Sequence, residues 1–141
     1  MRGKLILAAV TLAASAANAH TIFPGQQTVL IGGDRAFVKF EAANARKDVS
    51  EFAVEVFERG NWHPSRQAVP FPARLTVRAP TGGSMASTNR PFSVLVDLGG
   101  KPEQRLRVCT KTISTNNMLR PNLAQVNTRV CANVTVRRIA Q

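Results

Sequence analysis

The sequence predicts an all-β protein folded as an antiparallel β-sandwich of about seven strands. Short apolar runs alternate with polar residues at a period of two, which is the period of strand side chains. Turn residues, among them Gly32-Gly33-Asp34 and Gly99-Gly100, separate these runs. No helical periodicity occurs after residue 19. Several short alternating runs with turn signals between them are typical of sandwiches.

Residues 1–19 have the pattern of an export signal. The positive start is Arg2 and Lys4, and the apolar run of about ten residues is Leu5–Ala14. The small-x-small cleavage site is Ala17-Asn18-Ala19. The apolar run is too short to span a bilayer, which needs roughly twenty residues. We therefore expect a periplasmic protein without stable membrane insertion, whose mature domain is residues 20–141.

The chain of 141 residues is strongly basic, with a formal net charge of +11. Loss of Arg2 and Lys4 with the signal would lower this charge to +9. In a cytosolic protein such a charge would suggest nucleic acid, but export and the lack of a basic motif interleaved with aromatic residues argue against that partner. Solubility and attraction to anionic envelope surfaces explain the charge instead. The mature length suits one domain.

Five strands are predicted before the last third of the chain. Thr28–Ile31 is a short apolar run before the first glycine pair, and Phe92–Leu98 is a longer one before the second. Ala36–Ala43, Glu51–Glu58 and Arg74–Arg78 alternate apolar and polar residues. Segments without alternation are interpreted as loops, and these are Gly60–Pro72, Met85–Arg90 and Asn116–Gln125.

Two further strands, Arg105–Ile113 and Val126–Val136, contain the only cysteines. Each strand has one apolar face, and Cys109 and Cys131 lie on the opposite, polar faces. If the strands are antiparallel neighbours, these polar faces meet and allow a cross-strand disulfide. Disulfides persist in exported proteins, so a Cys109–Cys131 bridge is predicted.

The chain resembles the N-terminal immunoglobulin-like domain of periplasmic pilus-assembly chaperones, in the subclass with a long F–G loop and an F–G disulfide. The similar segments are the opening His20-Thr-Ile-Phe-Pro24, the strand Arg105–Ile113 and the closing run Val130–Arg138. The resemblance implies an immunoglobulin-like sandwich without catalysis or a cofactor. It also implies a protein client such as a pilin-like subunit, and an usher as a further partner.

Such chaperones lend their last strand to an incomplete subunit, so the resemblance implies the same use here. Main-chain hydrogen bonds give affinity, and alternate side chains fill the acceptor groove. The row that would be lent is Val126, Thr128, Val130, Ala132, Val134 and Val136. The same row could instead pack in the domain's own core. Both uses require the same alternation, so the sequence leaves both open.

The chain departs from this family in two ways. The family grips the subunit's terminal carboxylate with an arginine and a lysine, but His20 and Asn133 stand at those positions here. A neutral amide cannot replace a cation in a charge-assisted bond, although Arg129 shares the face of Asn133 and could supply the charge. The chain also stops after the last strand, so we expect a single-domain relative.

The alternative hypothesis is a periplasmic copper-binding protein. Cleavage after Ala19 would leave His20 with a free α-amino group beside its imidazole, and His63 would complete a brace of three nitrogen ligands. Imidazole and amine nitrogens suit Cu(II).

No Gly-x-Ser-x-Gly elbow, phosphate-binding glycine loop or acidic pair indicates an enzyme.

Overall fold

The computed structural model describes residues 20–44, 50–78, 88–113 and 128–140. The strands in these ranges are β1 His20–Phe23, β2 Gln26–Ile31, β3 Arg35–Asn44, β4 Ser50–Glu58, β5 Ala68–Phe71, β6 Arg74–Val77, β7 Thr88–Asp97, β8 Glu103–Ile113 and β9 Arg129–Arg138. They form two sheets, ordered β1-β3-β7-β5 and β2-β9-β8-β4-β6. The predicted all-β sandwich is confirmed. The predicted export signal, the loop Asn116–Gln125 and Val126 lie outside the described residues.

The described residues form nine strands rather than about seven, because two short strands escaped the sequence pattern. In β1 the buried residues are His20 and Ile22 and the exposed ones are Thr21 and Phe23, so each face mixes a polar and an apolar residue and no alternation is visible. β5 lies inside the predicted loop Gly60–Pro72, and its Pro70 obscured the pattern. Proline lacks an N–H and is tolerated on edge strands, and β5 pairs only with β7. The predicted loop Met85–Arg90 is also wrong in part, since β7 begins at Thr88.

The chain passes from one sheet to the other immediately after β1. His20–Phe23 pairs antiparallel with β3, whereas Gln26–Ile31 pairs parallel with β9. Pro24 cannot donate to a strand ladder, so pairing with β3 ends there and the chain turns at Gly25. One strand pair is therefore parallel in a sandwich that was predicted to be antiparallel throughout.

The core lies between the two sheets. In β3, every second residue from Ala36 to Ala42 is buried, as expected for one inward face. The rings of Phe40 and Phe92 stack across neighbouring strands with centroids 5.4 Å apart. The last strand contributes Ala132, Val134 and Val136 to this core.

An ionic cluster ties the end of β9 to the start of β8. The carboxylate of Glu103 accepts a hydrogen bond from Arg137 Nε at 2.7 Å and another from Arg105 Nε. These bonds, first that of Arg137 and then that of Arg105, hold the pKa of Glu103 below its ordinary value. Both β2 and this ionic cluster thus hold the end of β9, whereas β2 pairs with none of the residues of β9 before Asn133.

Candidate functional site

The two halves of β9 have different neighbours. β8 pairs with β9 from Arg129 to Arg137. β2 pairs with β9 only from Asn133 to Arg138, because the chain before Gln26 belongs to the other sheet. Along Arg129–Ala132, no strand of the described chain pairs with β9 on the side away from β8. We call this stretch the open edge.

The alternation of the backbone identifies which groups point out of the open edge. The N–H of Asn133 donates to the carbonyl of Gly25, just before β2, at 2.9 Å. The carbonyl of Thr128 faces the other way and accepts from the N–H of Thr112 in β8, also at 2.9 Å. Amide groups two residues apart along a strand point to the same side. The amide groups of Arg129 and Cys131 therefore point out of the open edge.

His20 anchors the beginning of β9 from inside the sandwich. Its side chain is only 1% exposed and lies 4.5 Å from the Phe52 ring, centroid to centroid. Nε2 lies 3.2 Å from the carbonyl oxygen of Thr110, so this nitrogen donates. Nδ1 lies 3.3 Å from Thr128 Oγ1, which in turn lies 2.8 Å from Thr112 Oγ1. In the neutral ring, Nδ1 accepts from the Thr128 hydroxyl.

The row of side chains that would be lent to a client is divided by the structure. Ala132, Val134 and Val136 are at most 1% exposed and belong to the domain's own core. In the folded domain these three side chains are not accessible to a partner. Thr128 and Val130 are half-buried at the margin of the core, next to the open edge. A partner can therefore reach only the beginning of this row.

The residues predicted to grip a client's carboxylate are not brought together. The side chain of His20 faces the core, where it contacts Thr128. Asn133 and Arg129 have the opposite parity and lie on the outer face of the sheet. Nη2 of Arg129 is 2.8 Å from a carboxylate oxygen of Glu55, so its charge is already balanced.

The predicted disulfide is present. Cys109 and Cys131 lie directly opposite each other in the antiparallel β8–β9 pair, with Cα atoms 4.0 Å apart. The outer face around the disulfide also holds an aromatic cluster that the sequence analysis missed. Trp62 contacts Phe57 edge-on at 5.3 Å between centroids, and the guanidinium of Arg107 lies 4.5 Å from the centre of the Trp62 ring. The disulfide thus joins β8 to the open edge itself, at Cys131.

The structure gives no support to a copper brace. His63 is exposed in the loop after β4, where its carbonyl accepts from the N–H of Glu58. Both ring nitrogens of His20 already face partners inside the domain. Across residues 20–44, 50–78, 88–113 and 128–140, no three His, Cys, Asp or Glu side chains are grouped so that they could hold a metal. Copper binding stays an untested prediction.

The open edge itself could not be found from side-chain types, because backbone groups form it. The usable signal was Pro24-Gly25, which interrupts the apolar alternation shortly after His20. Because of that interruption the chain joins the second sheet only at Gln26, so no described strand pairs with Arg129–Ala132 on the side away from β8. The part of the chain that the structure describes contains no helix long and apolar enough to cross a membrane.

No protein-family model and no curated protein matches this chain. Solved structures do match. The SafB chaperone, solved in complex with the SafA pilin of Salmonella enterica, aligns with a TM-score of 0.65 and 14% identity, over 86% of this chain and 55% of that one. The Escherichia coli chaperone DraB aligns with a TM-score of 0.61 and 15% identity, over 84% and 54%. This chain has the fold of the part of the periplasmic pilus chaperones with which it aligns.

The chain spans slightly more than half the length of these chaperones. The same fold forms a PapD-like domain of human CEP192, which aligns with a TM-score of 0.58 and 10% identity over 100% of this chain and 98% of that domain. At such identities the similarity establishes the fold, and one fold can serve several functions.

Proposed function

We propose that this protein is a periplasmic chaperone-like protein that binds an incomplete pilin-like subunit with the beginning of its last strand. The open edge at Arg129–Ala132 carries this proposal. A subunit that lacks one strand has an unpaired sheet edge of its own, and the two edges complete each other. The proposal involves neither catalysis nor a cofactor.

Main-chain hydrogen bonds supply the affinity in this form of strand addition. The amide groups of Arg129 and Cys131 each offer a donor and an acceptor along the open edge. The side chains of Thr128 and Val130 lie beside it, and the row continues toward Val126 in the sequence. We infer that the client takes this beginning of the row, since the later members fill the domain's own core.

Two features hold the donor strand in place before a client arrives. The disulfide fixes Cys131 to β8, and the His20–Thr128 contact fixes the residue just before β9. Preorganisation of this kind lowers the entropy that is lost on binding. The open edge is also short and carries a charged residue, Arg129, which limits pairing with unintended strands.

The export signal pattern and the periplasmic chaperones among the structural neighbours support a periplasmic location. The SafB structure contains a pilin, which supports a pilin-like client for this chain. Delivery of that client to an usher is a further part of the proposal.

Site-specific crosslinking in the exporting cell tests the proposal. A photoreactive amino acid replaces Val130 in one strain and Leu30 in another. Leu30 is 60% exposed but lies on β2, opposite Arg137, where β9 already has two neighbours. We expect position 130, and not position 30, to crosslink an exported β-sandwich subunit that lacks one strand. Equal crosslinking at both positions, or none at position 130, would contradict strand lending.

A further inference from the structure

A cleft lies between the margins of the two sheets, on the side of β6 and the beginning of β7. Its volume is about 490 Å³. Its lining includes Arg74 and Thr76 of β6, Arg78 just after β6, and Thr88 and Arg90 of β7. Three arginines thus line one cavity in a region that neither the strand-lending proposal nor the disulfide involves.

The cleft lies where no described strand covers the margins of the two sheets. Among the described residues, β6 is the last strand of its sheet and pairs only with β4. β5 covers β7 only from Ser93 to Val96, so the residues of β7 before Ser93 have no strand neighbour on that side within the described chain. Arg90 has the same parity as the buried Phe92, which directs its side chain toward the gap between the sheets.

The charges of this cleft are unbalanced. Elsewhere, acidic residues pair with five arginines, which are Arg35, Arg105, Arg129, Arg137 and Arg138. Among the described residues, no hydrogen bond or ion pair engages the guanidinium of Arg74, Arg78 or Arg90, and no acidic residue lines the cleft. Glu51 lies opposite Thr76 in the β4–β6 pair, but in the described chain no ion pair joins it to these arginines. Three exposed arginines therefore line one cavity without a bound counter-charge from the described residues.

We propose that this cleft binds a phosphate group. The planar guanidinium donates two parallel hydrogen bonds to oxyanions of this shape. A phosphomonoester carries about −1.5 to −2 charges at neutral pH, and it balances three arginines better than a single carboxylate does. Thr76 and Thr88 add hydroxyl groups in the lining. The phosphate can belong to a soluble compound or to a lipid headgroup, since the recognised chemistry is the same.

A pair of matched triple variants of the full mature chain tests this site. The cleft variant combines Arg74→Ala, Arg78→Ala and Arg90→Ala. The control combines Arg59→Ala, Arg66→Ala and Lys101→Ala, which removes the same charge from exposed side chains outside the cleft. All six side chains are exposed, so both variants should fold, and circular dichroism checks this. The probes are pyrophosphate, measured by calorimetry, and phosphatidylcholine vesicles with and without phosphatidic acid, measured by flotation.

We expect saturable binding of at least one phosphate-bearing probe to the wild type. The cleft variant should bind that probe with an affinity that is lower by about tenfold for each arginine removed. The control should bind nearly as well as the wild type. Binding of pyrophosphate identifies a soluble source, and binding of phosphatidic acid vesicles alone identifies a lipid source. Equal losses of affinity in the two variants would mean that net charge alone explains the binding, and this result would overturn the site. Absence of binding to both probes would overturn it as well. Neither failure would affect the open edge.

Discussion

Replacement of Val134 by aspartate should unfold the domain. Val134 is 1% exposed and lies in the middle of β9, within the shared core of the two sheets. An unpaired carboxylate at this position loses its hydration without gaining a partner. We expect Val134→Asp to lower the free energy of unfolding by at least about 4 kcal/mol, which is a large part of the stability of a typical domain. Urea denaturation followed by circular dichroism measures this change.

Thr135→Asp is the matched control. It places the same charge one residue further along, on the outer face of the sheet, where Thr135 lies opposite Arg105. We expect it to change the free energy of unfolding by no more than about 0.5 kcal/mol, as surface substitutions usually do. Equal midpoints for Val134→Asp and the wild type would mean that the inner face of β9 does not stabilise the domain.

Removal of the disulfide should have the next largest effect. The bridge joins residues 22 positions apart and restricts the unfolded chain accordingly. For a loop of this length, the chain-entropy model gives about 3 kcal/mol. We expect the double variant Cys109→Ala, Cys131→Ala to have a free energy of unfolding that is lower by about 3 kcal/mol, as measured by urea denaturation.

Reduction of the wild type with dithiothreitol should produce the same loss as the double variant, because both remove the same restriction. The single variant Cys131→Ala should also match them, since one remaining cysteine cannot form the bridge. Unchanged stability in the reduced protein would show that the covalent link contributes little. Peptide mapping that found free thiols in exported protein would remove the basis of the prediction.

Side-chain alternation was sufficient to predict most of the fold. The period of two identified β3, β4 and β8 almost to their ends, because each of these strands has one face that is buried almost throughout and an opposite face that is mostly half-buried or exposed. It also placed the two cysteines on facing strands, from which the disulfide followed. Alternation failed for β1, in which each face mixes a polar and an apolar residue, and for β5, which contains Pro70.

Alternation could not decide what the apolar row of β9 does. A residue that fills a client's groove and one that fills the domain's own core have the same parity. The answer depends on how far the other sheet covers β9. Ala132 and Val134 are core, whereas Val130 is only partly buried at the margin beside the open edge.

The arginines of the cleft were also invisible in the sequence. Arg74 and Arg90 are far apart along the chain and belong to strands of different sheets. Both line the cleft because β6 and the beginning of β7 are margins on the same side of the sandwich that no other described strand covers. Such a juxtaposition depends on sheet order, which periodicity within single strands does not determine.

The most direct test of strand lending is amide hydrogen exchange at the open edge, measured in the free protein and in its complex with the crosslinked client. In the free protein, the N–H groups of Arg129 and Cys131 should exchange rapidly, because they point away from β8 into the open edge. The N–H of Asn133 donates to Gly25 and should be protected in both states. We expect strong protection of Arg129 and Cys131 when the client binds. Unchanged exchange at these two amides in a fully formed complex would show that the client does not pair with β9.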